Sequence, residues 1–179
     1  MSVALHEPVL LEAFLRWEER QPTRFEFDGS RPVAMTGGTV AHNRIMRRLH
    51  RLLEQGLAGT SCEVFGPDVK IIVDGKVRYP DAVVGCSPQS DASQVIEQPV
   101  VVFEVLSDST ARIDRGEKVR DYGATPSILR YVMLHQDKAD ASVFARRGVE
   151  WSSDTIRAGG VLRMPEVGIE LDLHDIYPG

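Results

Sequence analysis

The chain has 179 residues and a formal net charge of −5, with the apolar and charged content of an ordinary globular protein. This length predicts one domain spanning residues 1–179, and the acidic balance argues against a protein that coats nucleic acid through a basic surface. No apolar run approaches the roughly 18 residues that a membrane-spanning helix needs. We also expect no signal peptide, because the first residues lack a basic segment leading into an apolar one.

The two cysteines, Cys62 and Cys86, have neither the density of a disulfide framework nor the spacing of a metal site. Sparse cysteine in such a chain predicts a cytoplasmic protein with two small, unpaired core thiols. The sequence also lacks the motifs of P-loop, dinucleotide-binding, α/β-hydrolase and zinc proteins. We expect surface positions for the histidines without ligand spacing, which are His6, His50, His135 and His174.

Helical and strand patterns alternate in the first third of the chain. Apolar spacing predicts a helix over residues 8–19. The alternation of Phe25 and Phe27 with charged residues, followed by the turn Asp28-Gly29, predicts a hairpin whose second strand covers 32–35.

The clearest helix follows a Gly-rich loop and is preceded by Thr39. Its apolar residues recur at helical spacing and predict a buried stripe of Ile45, Leu49, Leu52, Leu53 and Leu57. Four arginines lie broadly opposite this apolar stripe: Arg44, Arg47, Arg48 and Arg51. They could bind phosphates or simply form a solvated face of the helix. His42 opens the same helix and is either a phosphate contact or an ordinary helix-start residue.

The remainder of the chain predicts a sheet interrupted by one further helix. That helix should begin just after the capping residues 107–110 and end at Gly123. The predicted strands cover residues 63–65, 69–73, 77–79, 82–84, 100–106, 131–134, 141–145, 149–151 and 168–171. The last of these is predicted to be a short edge strand. The predicted class is therefore one α+β domain with a central mixed sheet.

Two of the most apolar strands each carry one carboxylate, Asp81 and Glu104. A charge in a buried strand is costly unless a cation pairs with it, and a divalent metal or Lys118 of the next helix could do so. On that helix Asp114, Lys118 and Tyr122 share one face. Two acids and a lysine form the simplest site for metal-dependent phosphodiester hydrolysis. The alternative for the acids is a strand-end position in water, which is weak for Glu104 in its apolar strand and stronger for Asp81, since Pro-Asp also begins turns. For Lys118, spacing alone favours a solvated lysine in a helical ion pair.

Three segments resemble the signature of the Uma family of restriction-endonuclease-like proteins in the PD-(D/E)XK nuclease superfamily. They are Tyr79-Pro80-Asp81, residues 102–110, and residues 114–118 with Tyr122. The family's first hairpin is similar to residues 25–29, and further matches at 34–35, His42 and 131–132 extend the resemblance over nearly the whole chain. The resemblance implies a restriction-endonuclease-like fold, with a central mixed sheet flanked by helices, and a divalent-metal site.

The resemblance also implies residue roles. Asp81 and Glu104 would hold Mg²⁺ or Mn²⁺ with the backbone carbonyl of Val105, and Glu26 would support the metal shell. The superfamily's lysine normally stands two residues after the second acid, where this chain has Leu106. As in the Uma family, Lys118 of the following helix takes its place. Asp108, Ser30 and Ile113 depart from the family pattern without removing a catalytic group.

From these observations we predict a metal-dependent endonuclease whose substrate is nucleic acid, in the first place DNA. His42, Arg44, Arg47 and Arg51 are the predicted nucleic-acid contacts. We expect a homodimer, because cutting both strands of a duplex needs two sites. The alternative is a catalytically silent nuclease-fold module that binds nucleic acid or a protein partner through the same cleft.

Overall fold

The structure, a computed structural model, describes residues 10–35, 37–106 and 111–177, without the side chains of residues 111–115. The described ranges contain, in chain order, α1 (Leu11–Glu18), β1 (Phe25–Phe27), β2 (Pro32–Ala34), α2 (Val40–Leu57), β3 (Glu63–Phe65), β4 (Ile71–Val73), β5 (Lys76–Arg78), β6 (Ala82–Gly85), β7 (Pro99–Leu106), α3 (Ala111–Ala124), β8 (Arg130–His135), β9 (Ala141–Arg147), β10 (Glu150–Ile156), β11 (Val161–Met164), β12 (Ile169–Asp172) and α4 (Leu173–Ile176). No helix among them has the length and apolar character needed to cross a membrane.

A mixed sheet forms the centre of the described fold, with six strands in the order β10-β9-β8-β7-β6-β3. Its parallel pair, β7 and β8, is joined by a crossover through α3, as parallel neighbours require. All eight residues of β7 are buried except Val100, which is half-buried. Such an apolar strand must be covered on both faces. The prediction of an α+β fold with a central mixed sheet is therefore confirmed.

Different elements cover the two faces of this sheet. On one face, Ile45 and Leu49 of α2 pack in a cluster with Ala82 and Phe103. On the other face, Val83 and Val102 share a cluster with Tyr122 of α3. Because side chains alternate along a strand, every second position of β6 and β7 faces α3.

A second sheet, which we did not predict, joins the two hairpins in the order β2-β1-β5-β4. The contact that unites them pairs Phe27 with Val77, and Phe14 of α1 stacks on Phe27 with the ring centroids 4.8 Å apart. The hairpins themselves were predicted, including the turn at Gly29, whose φ of 94° favours glycine.

The structure corrects one predicted element end. Helix α3 continues through Gly123 and ends at Ala124. The short edge strand predicted at 168–171 occurs as β12, which pairs with β11 in a separate two-stranded sheet. The capping prediction at 107–110 lies outside the described residues.

Cys62 and Cys86 form a disulfide, so the prediction of two unpaired core thiols is wrong. Both residues are half-buried and lie one position beyond the ladder in which Glu63 of β3 pairs with Gly85 of β6. The antiparallel register therefore brings the two cysteines opposite each other. Their separation of 24 residues gives no local indication of this pairing.

Reduction of this disulfide should lower the free energy of unfolding by about 3 kcal/mol, because the unfolded chain then gains the freedom of an open loop. Urea unfolding with and without reductant measures the difference. A Cys62→Ser/Cys86→Ser variant should unfold like the reduced protein and be insensitive to reductant. Equal midpoints for the oxidised and reduced wild type would contradict the prediction.

Candidate active site

The two predicted acids meet at the end of strands β6 and β7. Ala82 pairs with Phe103, so Asp81 and Glu104 stand opposite each other one residue further on. Glu104 lies two residues after Val102 and therefore belongs to the face that α3 covers, whereas Asp81 directly precedes β6 and its side chain contacts α2. Their side chains are only 14% and 9% exposed.

Glu104 is held by two side chains of α3. The Lys118 Nζ lies 2.7 Å from Glu104 Oε1, and the Tyr122 hydroxyl donates to the same oxygen at 3.0 Å. Burial raises the pKa of Glu104, Lys118 lowers it, and the charges of Asp81 and Glu26 raise it again, to about 8. Lys118 is 8% exposed, so the alternative of a solvated lysine is wrong.

Asp81 is held from the opposite layer, by α2 and by β7. Its Oδ2 lies 3.1 Å from His42 Nε2 and accepts the backbone N–H of Val105 at 2.7 Å. Its carbonyl oxygen is 2.8 Å from Nε2 of His50. The surface positions predicted for His50 and His135 are therefore wrong, since His50 is half-buried and His135 is 7% exposed.

Glu26 reaches the same place from β1 of the second sheet. Its carboxylate lies 3.5 Å from the Lys118 Nζ, accepts from Arg78 Nη1 at 3.2 Å and from the backbone N–H of Tyr79 at 3.3 Å. The structure thus brings together the four predicted residues Asp81, Glu104, Lys118 and Glu26.

Sequence reasoning missed Arg78 and Asp121, which are 4% and 1% exposed. Arg78 Nη2 donates to Asp121 Oδ2 at 2.7 Å, and Lys76 binds the other carboxylate oxygen. Arg78 directly precedes the Tyr79-Pro80-Asp81 motif. A charged residue next to this motif, in a largely apolar hairpin, was the sequence signal that could have drawn attention to it.

The predicted arginine contacts are not part of this cluster. Arg44, Arg47 and Arg51 are exposed on the side of α2 away from its buried stripe. Arg48 is half-buried and donates to the carbonyl oxygen of Tyr177 at 2.7 Å. The three exposed arginines form a line on the outer surface of the helix.

Asp81 and Glu104 form a donor set that suits a hard divalent cation, which prefers carboxylate oxygens and keeps several waters. The raised pKa of Glu104 reflects first the cost of burying its charge and then the nearby charges of Asp81 and Glu26, costs that a bound cation would relieve. Within the described ranges, a set of three ligand atoms lying within 4.8 Å of one another occurs instead at the exposed residues Asp172, His174 and Asp175.

A family model described as "Uma2: Putative restriction endonuclease" matches residues 11–174. The chain belongs to the Uma2 family. Its resemblance to the Uma family, identified from the sequence motifs, is thereby confirmed. The match spans all elements of the acid cluster, and membership of Uma2 supports a nuclease-like function. Restriction-endonuclease-like nucleases generally use divalent metals.

Two relatives of this Uma2 chain are uncharacterized proteins of Synechocystis. One is 33% identical over 172 residues, which cover 94% of this chain and 90% of the relative. The other is 28% identical over 141 residues, which cover 76% of this chain and 80% of the relative. A crystal structure from Anabaena variabilis, titled as a putative nuclease belonging to DUF820, superposes with a TM-score of 0.77 over 94% of this chain and 97% of that one. At 12% identity this likeness concerns the fold alone.

His42 should have a pKa above its ordinary 6.5 in the metal-free protein, because its hydrogen bond to Asp81 favours the protonated ring more than burial disfavours it. The protonated ring then contributes stability that is fully present below the unfolded pKa and is lost as the pH rises through the folded one. An NMR titration of His42 measures the shift, and Asp81→Asn should remove it. A pKa at or below 6.5 in the wild type would contradict the prediction.

Proposed function

We propose that this protein is a metal-dependent endonuclease that hydrolyses phosphodiester bonds of nucleic acid, in the first place DNA. The observation that carries the proposal is the meeting of two largely buried carboxylates, Asp81 and Glu104, at the shared end of β6 and β7. Mg²⁺ or Mn²⁺ would be held by Asp81 and Glu104, with the backbone carbonyl of Val105 as a further oxygen donor.

Each residue of the site has a distinct task in this proposal. A bound cation would stabilise charge on the leaving oxygen and make a water molecule more acidic. Lys118 supplies a positive charge that can stabilise an anionic phosphate next to Glu104, and Glu26 helps to hold its ammonium. Tyr122 fixes the carboxyl group of Glu104, and His42 fixes that of Asp81.

The proposed nucleic-acid surface comprises His42 together with the exposed line of Arg44, Arg47 and Arg51. Seven residues of helix rise by about 10 Å, so Arg44 and Arg51 could contact successive phosphates of one strand. A homodimer is part of the proposal, because a duplex requires two cuts, and sedimentation would test it. A cytoplasmic location stays a prediction, and since the cysteines are paired, cysteine usage no longer supports it.

A second candidate function is a catalytically silent module that binds nucleic acid or a protein partner. It is favoured by the ammonium of Lys118, which already neutralises the Glu104 oxygen that a cation would need. The acidic net charge of −5 also fits weak nucleic-acid binding.

Cleavage of duplex DNA, single-stranded DNA and RNA with Mn²⁺, Mg²⁺ or chelator tests the proposal. We expect metal-dependent cleavage by the wild type. The cleavage rate should fall by at least about 100-fold in Asp81→Asn, since losing even a residue that supports a metal ligand can cost that much activity. Asp154→Asn, at an exposed position of β10, is the matched control and should cleave normally. Metal-independent binding of a nucleic acid without cleavage would favour the silent module.

A further inference from the structure

A series of alternating charges connects the second sheet to the acid cluster. Following the contacts, it runs from Lys76 through Asp121, Arg78, Glu26 and Lys118 to Glu104. We call this series the charge chain. It joins four elements of the fold: strands β1 and β5 of the second sheet, helix α3, and strand β7.

Arg78 is the central cation of the charge chain. Its Nη1 and Nη2 bind carboxylates on two different elements, Glu26 of β1 at 3.2 Å and Asp121 of α3 at 2.7 Å. A third carboxylate, Glu117 of α3, lies 4.0 Å from Nη2. A planar guanidinium can bind two acids in fixed directions at once, whereas a lysine ammonium is a single point of charge.

Few of the described side chains of helix α3 are apolar. Among its described side chains, Tyr122 and Val119 reach the hydrophobic core, while the others are polar or small. Residues three apart lie on the same side of a helix, so anchoring Asp121 also directs Lys118. With Asp121 bound to Arg78, Lys118 points at Glu104 and Glu26.

We propose that Arg78 is a positioning residue that holds Lys118 on Glu104 by binding Asp121 and Glu26 together. The proposal deepens the proposed nuclease function and rests on it. A lysine ammonium at position 78 is a single point of charge and cannot bind both acids in the two fixed directions of the guanidinium. Asp121, at 2.7 Å, is the closer acid, and Glu26, at 3.2 Å, is therefore the one that loses its cation. Lys118 already lies 3.5 Å from Glu26, so its ammonium moves from Glu104 toward Glu26.

A double-mutant cycle read by Mn²⁺ calorimetry tests this role. Above about pH 8, where Glu104 is ionised, Lys118→Met in the wild type should tighten Mn²⁺ binding at least about fivefold, because it removes a cation that competes for Glu104. In an Arg78→Lys background the same substitution should change the affinity by less than about twofold, since Lys118 has already left Glu104. An equal effect of Lys118→Met in both backgrounds overturns the proposal.

Arg130→Lys is the matched control. Arg130 is also largely buried and binds both carboxylate oxygens of one acid, Glu166, in the β11–β12 turn. The control thus makes the same charge-conserving change at another forked ion pair, and the full effect of Lys118→Met should persist in it. If Arg78→Lys does not fold, Asp121→Ala removes the acceptor of Arg78 on α3 and replaces Arg78→Lys in the cycle.

Hydrogen exchange separates failure of this inference from failure of the proposed function. If the wild type binds no Mn²⁺, the proposed function fails, and the exchange of backbone amides 118–124 decides the role of Arg78. We expect these amides to exchange at least about tenfold faster in Arg78→Lys and to be unchanged in Arg130→Lys. Unchanged exchange in Arg78→Lys then overturns the proposal.

Discussion

Glu104→Gln should weaken Mn²⁺ binding by at least about 100-fold and abolish metal-dependent cleavage, while the protein stays folded. The neutral amide keeps the shape of the side chain and its contacts with Lys118 and Tyr122, but it is a poor ligand for a hard cation. Calorimetry and the cleavage assay measure the two losses. Glu150→Gln, at an exposed position of β10, should match the wild type.

The same carboxyl group predicts how Mn²⁺ binding by the wild type depends on pH. Burial raises the pKa of Glu104 to about 8 without metal, so below that pH a cation competes with a proton for this carboxyl group, while Lys118 competes for its ionised form. The affinity should therefore rise by up to about tenfold per pH unit from pH 6 toward 8 and level off above. In Glu104→Gln only the weaker dependence that comes from protonated His42 on Asp81 should remain, and a flat profile in the wild type would refute the metal-ligand role of Glu104.

The Glu104 shift also has a consequence for stability. The folded metal-free protein keeps the proton to a higher pH than the unfolded chain, whose carboxyl titrates near 4.5. Stability of the metal-free protein should therefore fall as the pH rises between these two values, and added Mn²⁺ should restore it.

Glu18→Ala should lower the free energy of unfolding by about 3–5 kcal/mol, because it leaves a buried charge unpaired. Glu18 is 6% exposed and accepts from Lys70 Nζ and from the Tyr79 hydroxyl, both at 2.6 Å. It joins α1 to the hairpin that leads to Asp81, beside a cavity of about 490 Å³. Lys70 is 5% exposed and would lose its ion-pair partner.

Urea unfolding measures this effect against two comparisons. Glu12→Ala removes an exposed glutamate from the same helix and should change stability by less than about 1 kcal/mol. Replacing both partners, in Glu18→Leu/Lys70→Met, should cost less than Glu18→Ala alone, because no buried charge then remains unpaired. If the double variant is the less stable one, the destabilisation has another origin.

The sequence by itself determined the local structure and the principal acids of the site. Apolar periodicity was sufficient for α2 and β7, and turn chemistry was sufficient for both hairpins. The spacing of Lys118 and Tyr122 placed them on one helical face, and both contact Glu104. These features depend on neighbours within a few residues, where spacing and burial leave few alternatives.

Only the tertiary structure decided which distant residues meet. The Cys62–Cys86 disulfide follows from the register of β3 on β6. The approach of His42 to Asp81 follows from the position of α2 against the end of β6. Arg78 meets Asp121 across 43 residues of chain because the second sheet packs beside α3. No local pattern specifies such contacts, because they depend on register and on the packing of whole elements, which the complete core determines.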